Sequence, residues 1–227
     1  MNLAEHYNKL YTESITKIST GNYEIDHLID DQTDKRFGIT LLIRPDESTK
    51  ANIQQFLDKA RAIDPNQYFY KNSDLHITVM SVISCYDGFD LADINTEEYI
   101  QLIDKVLAKH STFKIQFRGL TASPSCILIQ GFLTEALNEI RNDLRFTFKN
   151  SDLQQSIDKR YAIQTAHSTI IRFRTELQNK NALLELIEKY RDFDFGTFEV
   201  NKIELVYNDW YQREQFVKKL HEFSFKT

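Results

Sequence analysis

His76-Ile77-Thr78-Val79 and His167-Ser168-Thr169-Ile170 spell the same tetrapeptide, His-x-Thr-aliphatic, the second beginning 91 residues after the first. Each follows a polar approach and runs on into strand-like residues, Ile77 to Ile83 in one case and Ser168 to Phe173 in the other. Positions i and i+2 of a β-strand share one face, so each motif points an imidazole and a hydroxyl the same way. If the two strands face each other, one cleft holds two histidines and two threonine hydroxyls. That set suits acid–base work on a phosphodiester.

A third match, His110-Ser111-Thr112-Phe113, has a plainer reading. It ends the apolar-periodic helix around Ile100 to Lys109, where a histidine suits the negative end of the helix dipole. It is read as a capping residue.

Working outward, apolar periodicity predicts helices over 3–19, 48–63, 96–109, 134–149 and 176–190, the last capped by Thr175. Strands are expected over 37–43, within 68–84, over 113–119 and 126–130 as a hairpin through Ser123-Pro124-Ser125, within 160–174, and over 198–207. Residues 214–223 read as a final helix or an irregular tail. Each half then holds a strand, a helix and a His-x-Thr strand, and Tyr70 and Tyr161 each stand six residues before their histidine. Strands mixed with hairpins and helices point to an α+β fold rather than a doubly wound parallel sheet. No Gly-rich phosphate loop or dinucleotide fingerprint is present.

Composition bounds the function. With 41% hydrophobic residues the chain can build a sizeable core, while a net charge of −5 argues against wrapping long duplex nucleic acid. Cys85 and Cys126 show no metal-ligand spacing and read as buried thiols of a reducing, cytoplasmic compartment. No apolar run approaches a membrane span, and residues 1–6 lack a signal-peptide pattern.

The paired motifs, their spacing and the element order from Phe37 to Tyr207 resemble the 2H phosphoesterase superfamily, which includes 2′-5′ RNA ligase-like proteins and cyclic phosphodiesterases. The resemblance implies a two-lobed α+β fold with antiparallel or mixed sheets, flanking helices and a pseudo-two-fold axis. It covers 37–227, with 1–36 an added helix and acidic connector. It also implies metal- and cofactor-independent hydrolysis of a 2′,3′-cyclic phosphate or 2′-5′ linkage, in a small nucleotide or an RNA end. Carried onto this chain, His76 and His167 are the catalytic pair, and Thr78 and Thr169 hold the phosphate. Ser168 stands where relatives more often carry an aliphatic residue.

Further cleft candidates are Tyr70 and Tyr161, from their matching offset, and Tyr207, which with Trp210 and Tyr211 offers aromatic faces to stack a nucleobase, core or interface packing being the commoner role of such a cluster. Strand parity puts Arg172 and Arg174 on the face opposite His167. A non-catalytic module that binds a nucleotide or phosphate in the same cleft is the alternative. Oligomeric state is open.

Overall fold

The computed structural model describes residues 2–133 and 135–225. The expected helix start at Thr134 and the outermost ends of the two expected regions lie outside the described residues.

In chain order the elements are α1 (Leu3–Ser19), β1 (Arg36–Ile43), α2 (Glu47–Ile63), β2 (Tyr68–Phe69), β3 (Ile77–Asp87), α3 (Thr96–Leu107), β4 (Phe113–Ser123), β5 (Cys126–Leu133), α4 (Ala136–Lys149), β6 (Ser168–Arg172), α5 (Lys180–Lys189), β7 (Asp194–Val200), β8 (Lys202–Asp209) and β9 (Lys218–Ser224). Short polar side chains start three of the helices. Asn2, Asp46 and Asn95 each accept a hydrogen bond from a first-turn N–H of α1, α2 and α3, satisfying donors that have no partner inside the helix.

The strands form two sheets, β3-β1-β8-β9 and β2-β6-β5-β4-β7, with antiparallel pairing throughout. Helices α3 and α4 pack on the first sheet, and α1, α2 and α5 on the second. A single apolar cluster runs through both layers, from Ile39 and Ile103 to Ile129 and Ile187. The two motif strands belong to different sheets, β3 to the first and β6 to the second.

Both motif strands are bulged directly after the motif threonine. Thr78 pairs with Leu42 and Met80 with Leu41, leaving Val79 as the extra residue. Thr169 pairs with Leu128 and Ile171 with Ile127, leaving Ile170 extra. A bulge re-aims every side chain that follows it. In β3 a second shift falls at Val82, and a third lies opposite Gly38, where a Cβ would stand 2.8 Å from the Cys85 nitrogen. Only glycine fits there.

Three expectations are corrected. The run 198–207 is two strands in different sheets, because Asn201 leaves the ladder and its carbonyl accepts from the Phe225 N–H. The helix expected from Glu176 begins only at Lys180. The N–H groups of Leu177 and Gln178 are taken by the Tyr23 hydroxyl and the Asp64 carboxylate, and the Thr175 hydroxyl accepts from Gln67 instead of capping. The segment expected as a final helix or tail is the edge strand β9, whose Lys218, Lys219 and Glu222 supply the charge that keeps an open edge from pairing further.

Candidate active site

A cleft open at its mouth is lined from both sheets and, on one side, by the segment Ser156–Ile163. His76, Thr78, His167 and Thr169 all line it. The bulges explain the rest of its polar wall. Across the bulges at Val79 and Val82 the hydroxyl-bearing cleft positions of β3 recur every third residue, as Thr78, Ser81 and Ser84, with Met80 and Cys85 also in the lining. Beyond Ile170 the same step of three brings Arg172 to the face of Thr169. Simple alternation places Arg172 on the opposite face; the extra residue reverses that parity, so Arg172 lines the cleft.

The imidazoles are held from behind. His76 Nδ1 lies 2.7 Å from the Asp74 carbonyl oxygen. A carbonyl only accepts, so Nδ1 carries the hydrogen and the neutral ring keeps its lone pair on Nε2. His167 Nδ1 lies 2.6 Å from the Thr165 hydroxyl, which is able to donate or accept. Burial lowers both histidines to about 4, helped at His76 by Arg44, His167 and Arg172 and at His167 by Arg141 and Arg172. Both rings are therefore neutral at pH 7 until an anion enters.

Arg172 supplies the positive charge. Its Nε donates to the Tyr70 hydroxyl at 2.9 Å and its Nη1 to Asp26 at 3.2 Å. Burial opposes that charge, but Tyr70, Cys126 and Asp26 around it raise its pKa above the ordinary arginine value. Asp26 comes from the connector after α1 and also accepts from the Tyr211 hydroxyl at 2.7 Å. Among the described residues, no group of three or more His, Cys, Asp or Glu is arranged to hold a metal ion.

The sequence model of the 2′-5′ RNA ligase superfamily matches residues 45–211. The chain belongs to this superfamily. A curated relative, the RNA 2′,3′-cyclic phosphodiesterase of Aquifex aeolicus (strain VF5), is 28% identical over 121 residues, 52% of this chain and 63% of the relative. The match thus spans under two thirds of that protein's length. The fold is similar to the crystal structure of a Thermus thermophilus protein, with TM-score 0.62 and 14% identity over 82% of this chain and 97% of the other. It is also similar to E. coli LigT complexed with 3′-AMP, with TM-score 0.53 and 11% identity over 85% and 99%.

Within this superfamily fold the other expected residues fall on both sides of the line. Tyr70 is buried in the cleft wall and Tyr161 stands at the cleft mouth with 67% of its surface exposed. Tyr207 does not line the cleft. Its neighbour Asn208 points in, so Tyr207 points out and stacks on Phe37 at 5.0 Å. Trp210 lines the cleft, with the Arg36 and Arg160 guanidinium groups over its ring at 5.0 and 4.8 Å from the centre. His110 sits apart, 3.0 Å from Asp143 on α4, after the end of α3. Ser168 is buried and outside the cleft lining.

Arg141 escaped the sequence reading. Fully buried on α4, it donates from Nε to the Val79 carbonyl at 3.0 Å, and from Nη2 to the Thr78 and Thr165 carbonyls at 2.8 Å each. It ties the first motif to the residue that backs the second histidine. Its signal was a lone charge inside the apolar stripe Leu137, Ile140, Leu144, Phe148.

Proposed function

We propose that this chain is a phosphoric diester hydrolase that opens a 2′,3′-cyclic phosphate or a 2′-5′ linkage in a small nucleotide or an RNA end. The observation that carries this is the convergence of two His–Thr pairs and Arg172 on one cleft. Membership of the superfamily and the likeness to a protein named RNA 2′,3′-cyclic phosphodiesterase support it.

The phosphate sits against Thr78, Thr169 and Arg172, which donate to its non-bridging oxygens as their charge builds. Its negative charge raises the pKa of the histidines beside it, so one ring takes up a proton on binding. His76, with its lone pair on Nε2, is the base. It takes a proton from water, whose oxygen attacks phosphorus in line with the bond to be broken. The bond to one ribose oxygen breaks, and protonated His167 gives its Nε2 proton to that leaving oxygen. The product is a phosphomonoester beside a free hydroxyl, and the two histidines have exchanged protonation states. No step requires a metal or a cofactor.

The test is hydrolysis of 2′,3′-cyclic nucleotides and 2′-5′ dinucleotides with excess EDTA present. The expected result is turnover that chelation leaves intact. Loss of turnover in EDTA with recovery on adding a divalent ion would overturn the mechanism. Tight nucleotide binding without turnover would leave a binding module in the same cleft.

A further inference from the structure

The cleft extends well past the histidines, and its far end carries two amide side chains that the reaction does not use. Asn208 and Gln212 both line it, at 2% and 4% exposure. The side-chain oxygen of each is buried and finds no donor among the described residues. A buried acceptor left without a donor is costly, so two in the lining of one cleft call for an occupant.

The orientation of Asn208 follows from its neighbours. Its Nδ2 donates to the Asp209 carbonyl at 2.8 Å and contacts the Cys85 sulfur at 3.6 Å. Burial pushes that thiol up to about 12, so it remains a neutral thiol. Turning the amide over would set oxygen against oxygen, so Oδ1 is the group left over. Gln212 is held at φ +60, in the left-handed region that non-glycine residues rarely adopt. Backbone in that region persists where surrounding structure demands it, commonly at binding sites.

The distance also fits. Leu42 of β1 lies beside Thr78, and Gly38 lies beside Asn208. Four residues of strand at ~3.3 Å each separate the phosphate-holding level from the amide level by about 13 Å. A nucleoside attached to a phosphate at the histidines reaches into this end.

We propose that Asn208 and Gln212 form a nucleobase subsite that accepts hydrogen bonds from an exocyclic amine, so that adenine, cytosine and guanine are preferred over uracil. Uracil presents one N–H between two carbonyl oxygens and would set acceptor against acceptor. This rests on the nucleotide-cleaving reading of the cleft and names the class of base that the cleft takes.

Two measurements on the full chain test it. The first is kcat/KM for 2′,3′-cyclic CMP and 2′,3′-cyclic UMP. Wild type should favour the cytidine substrate by about tenfold or more, the worth of one such hydrogen bond, and Gln212→Met and Asn208→Ala should each bring the ratio toward one. The second is binding of 3′-CMP and 3′-UMP, followed by fluorescence of Trp210, the single tryptophan, which lines the same end of the cleft. Wild type should bind 3′-CMP more tightly, and Gln212→Met should lose the difference. The Met variant keeps the buried volume, so it remains informative if Asn208→Ala unfolds. If no cyclic nucleotide is turned over while the binding preference holds and the variants abolish it, the activity fails and the subsite stands. If both substrates are cleaved and bound alike, or if the variants weaken both equally, the subsite falls and the activity stands.

Discussion

The strands β3 and β6 carry the same tetrapeptide and the same bulge, yet the surrounding chain treats them differently. The carbonyl of Val79 is taken by the buried side chain of Arg141, whereas that of Ile170 accepts from the backbone N–H of Tyr70 at 3.0 Å, in continuation of the β2–β6 pairing. Behind the histidines the contrast reverses. His76 rests on a backbone carbonyl, His167 on the hydroxyl of Thr165. The first histidine therefore has a fixed tautomer, while the second has a partner able to follow its protonation. An acid and a base with distinct roles fit this difference better than two interchangeable imidazoles.

Removing either ring should break the comparison most severely. If the pair acts in one step as proposed, His76→Ala and His167→Ala should each lower kcat on 2′,3′-cyclic nucleotides by about 10²-fold or more, with the double variant little worse. Additive losses would mean that the two halves act independently.

The next largest effect belongs to the residue that joins the halves. Arg141→Met leaves three backbone carbonyls without their donor, so it should cost about 2–4 kcal/mol in urea unfolding. In the folded variant kcat should also fall, by about tenfold, because Thr78 and Thr165 lose their shared tie. A variant that is less stable yet fully active would reduce Arg141 to a core residue.

How far all this could be read from sequence turns on the bulges. The motifs, the α+β class and most helices were legible, because a 3.6-residue stripe or a short polar cap records a local preference. Strict alternation along the motif strands was the error. It gives the right face for His76 and Thr78 and the wrong one for Arg172. The sequence does hold the correction: Thr78, Ser81 and Ser84 interrupt an apolar run at every third residue, as do Thr169 and Arg172. A spacing of three in a strand is the imprint of an extra residue. The strand boundary at Asn201, the late start of α5 and the pairing of β9 left no comparable trace, since each is decided by a distant partner. The support that Asp26 gives Arg172 is likewise tertiary.

Acidity sharpens the comparison more gently. Both histidines fall from 6.5 to about 4 on folding. The unfolded chain then binds protons more tightly, so their contribution to stability is complete above pH 6.5 and is lost as the pH drops toward 4. Unfolding midpoints should decline over that window, less so in the double histidine variant. In the proposed mechanism a bound phosphate anion raises both values, so the bell for kcat should sit at higher pH than that for kcat/KM. Coincident bells would mean that the substrate charge does not reach the rings.

The smallest effect should come from the hydroxyl layer behind His167, where the two halves differ most in kind. Tyr7 of α1 is fully buried; its hydroxyl donates to the Gly131 carbonyl and accepts from the Gly131 N–H, at 3.2 Å each, and lies beside Thr165. Gly131 in turn has no room for a side chain, because the Ala166 carbonyl, one residue before His167, fills that space. Tyr7 of α1, which precedes the matched 45–211, thus supports the floor under the second histidine. Thr165→Val removes the Nδ1 partner and should lower kcat about five- to tenfold, about the worth of one hydrogen bond, and displace the alkaline limb of the pH profile. Tyr7→Phe should cost about 1–2 kcal/mol of stability by leaving both Gly131 groups unpaired. Its effect on kcat should be only about two- to threefold at unchanged KM, since it acts through Thr165. If both variants match wild type in kcat at every pH, the hydroxyl layer carries no influence and His167 is held no differently from His76.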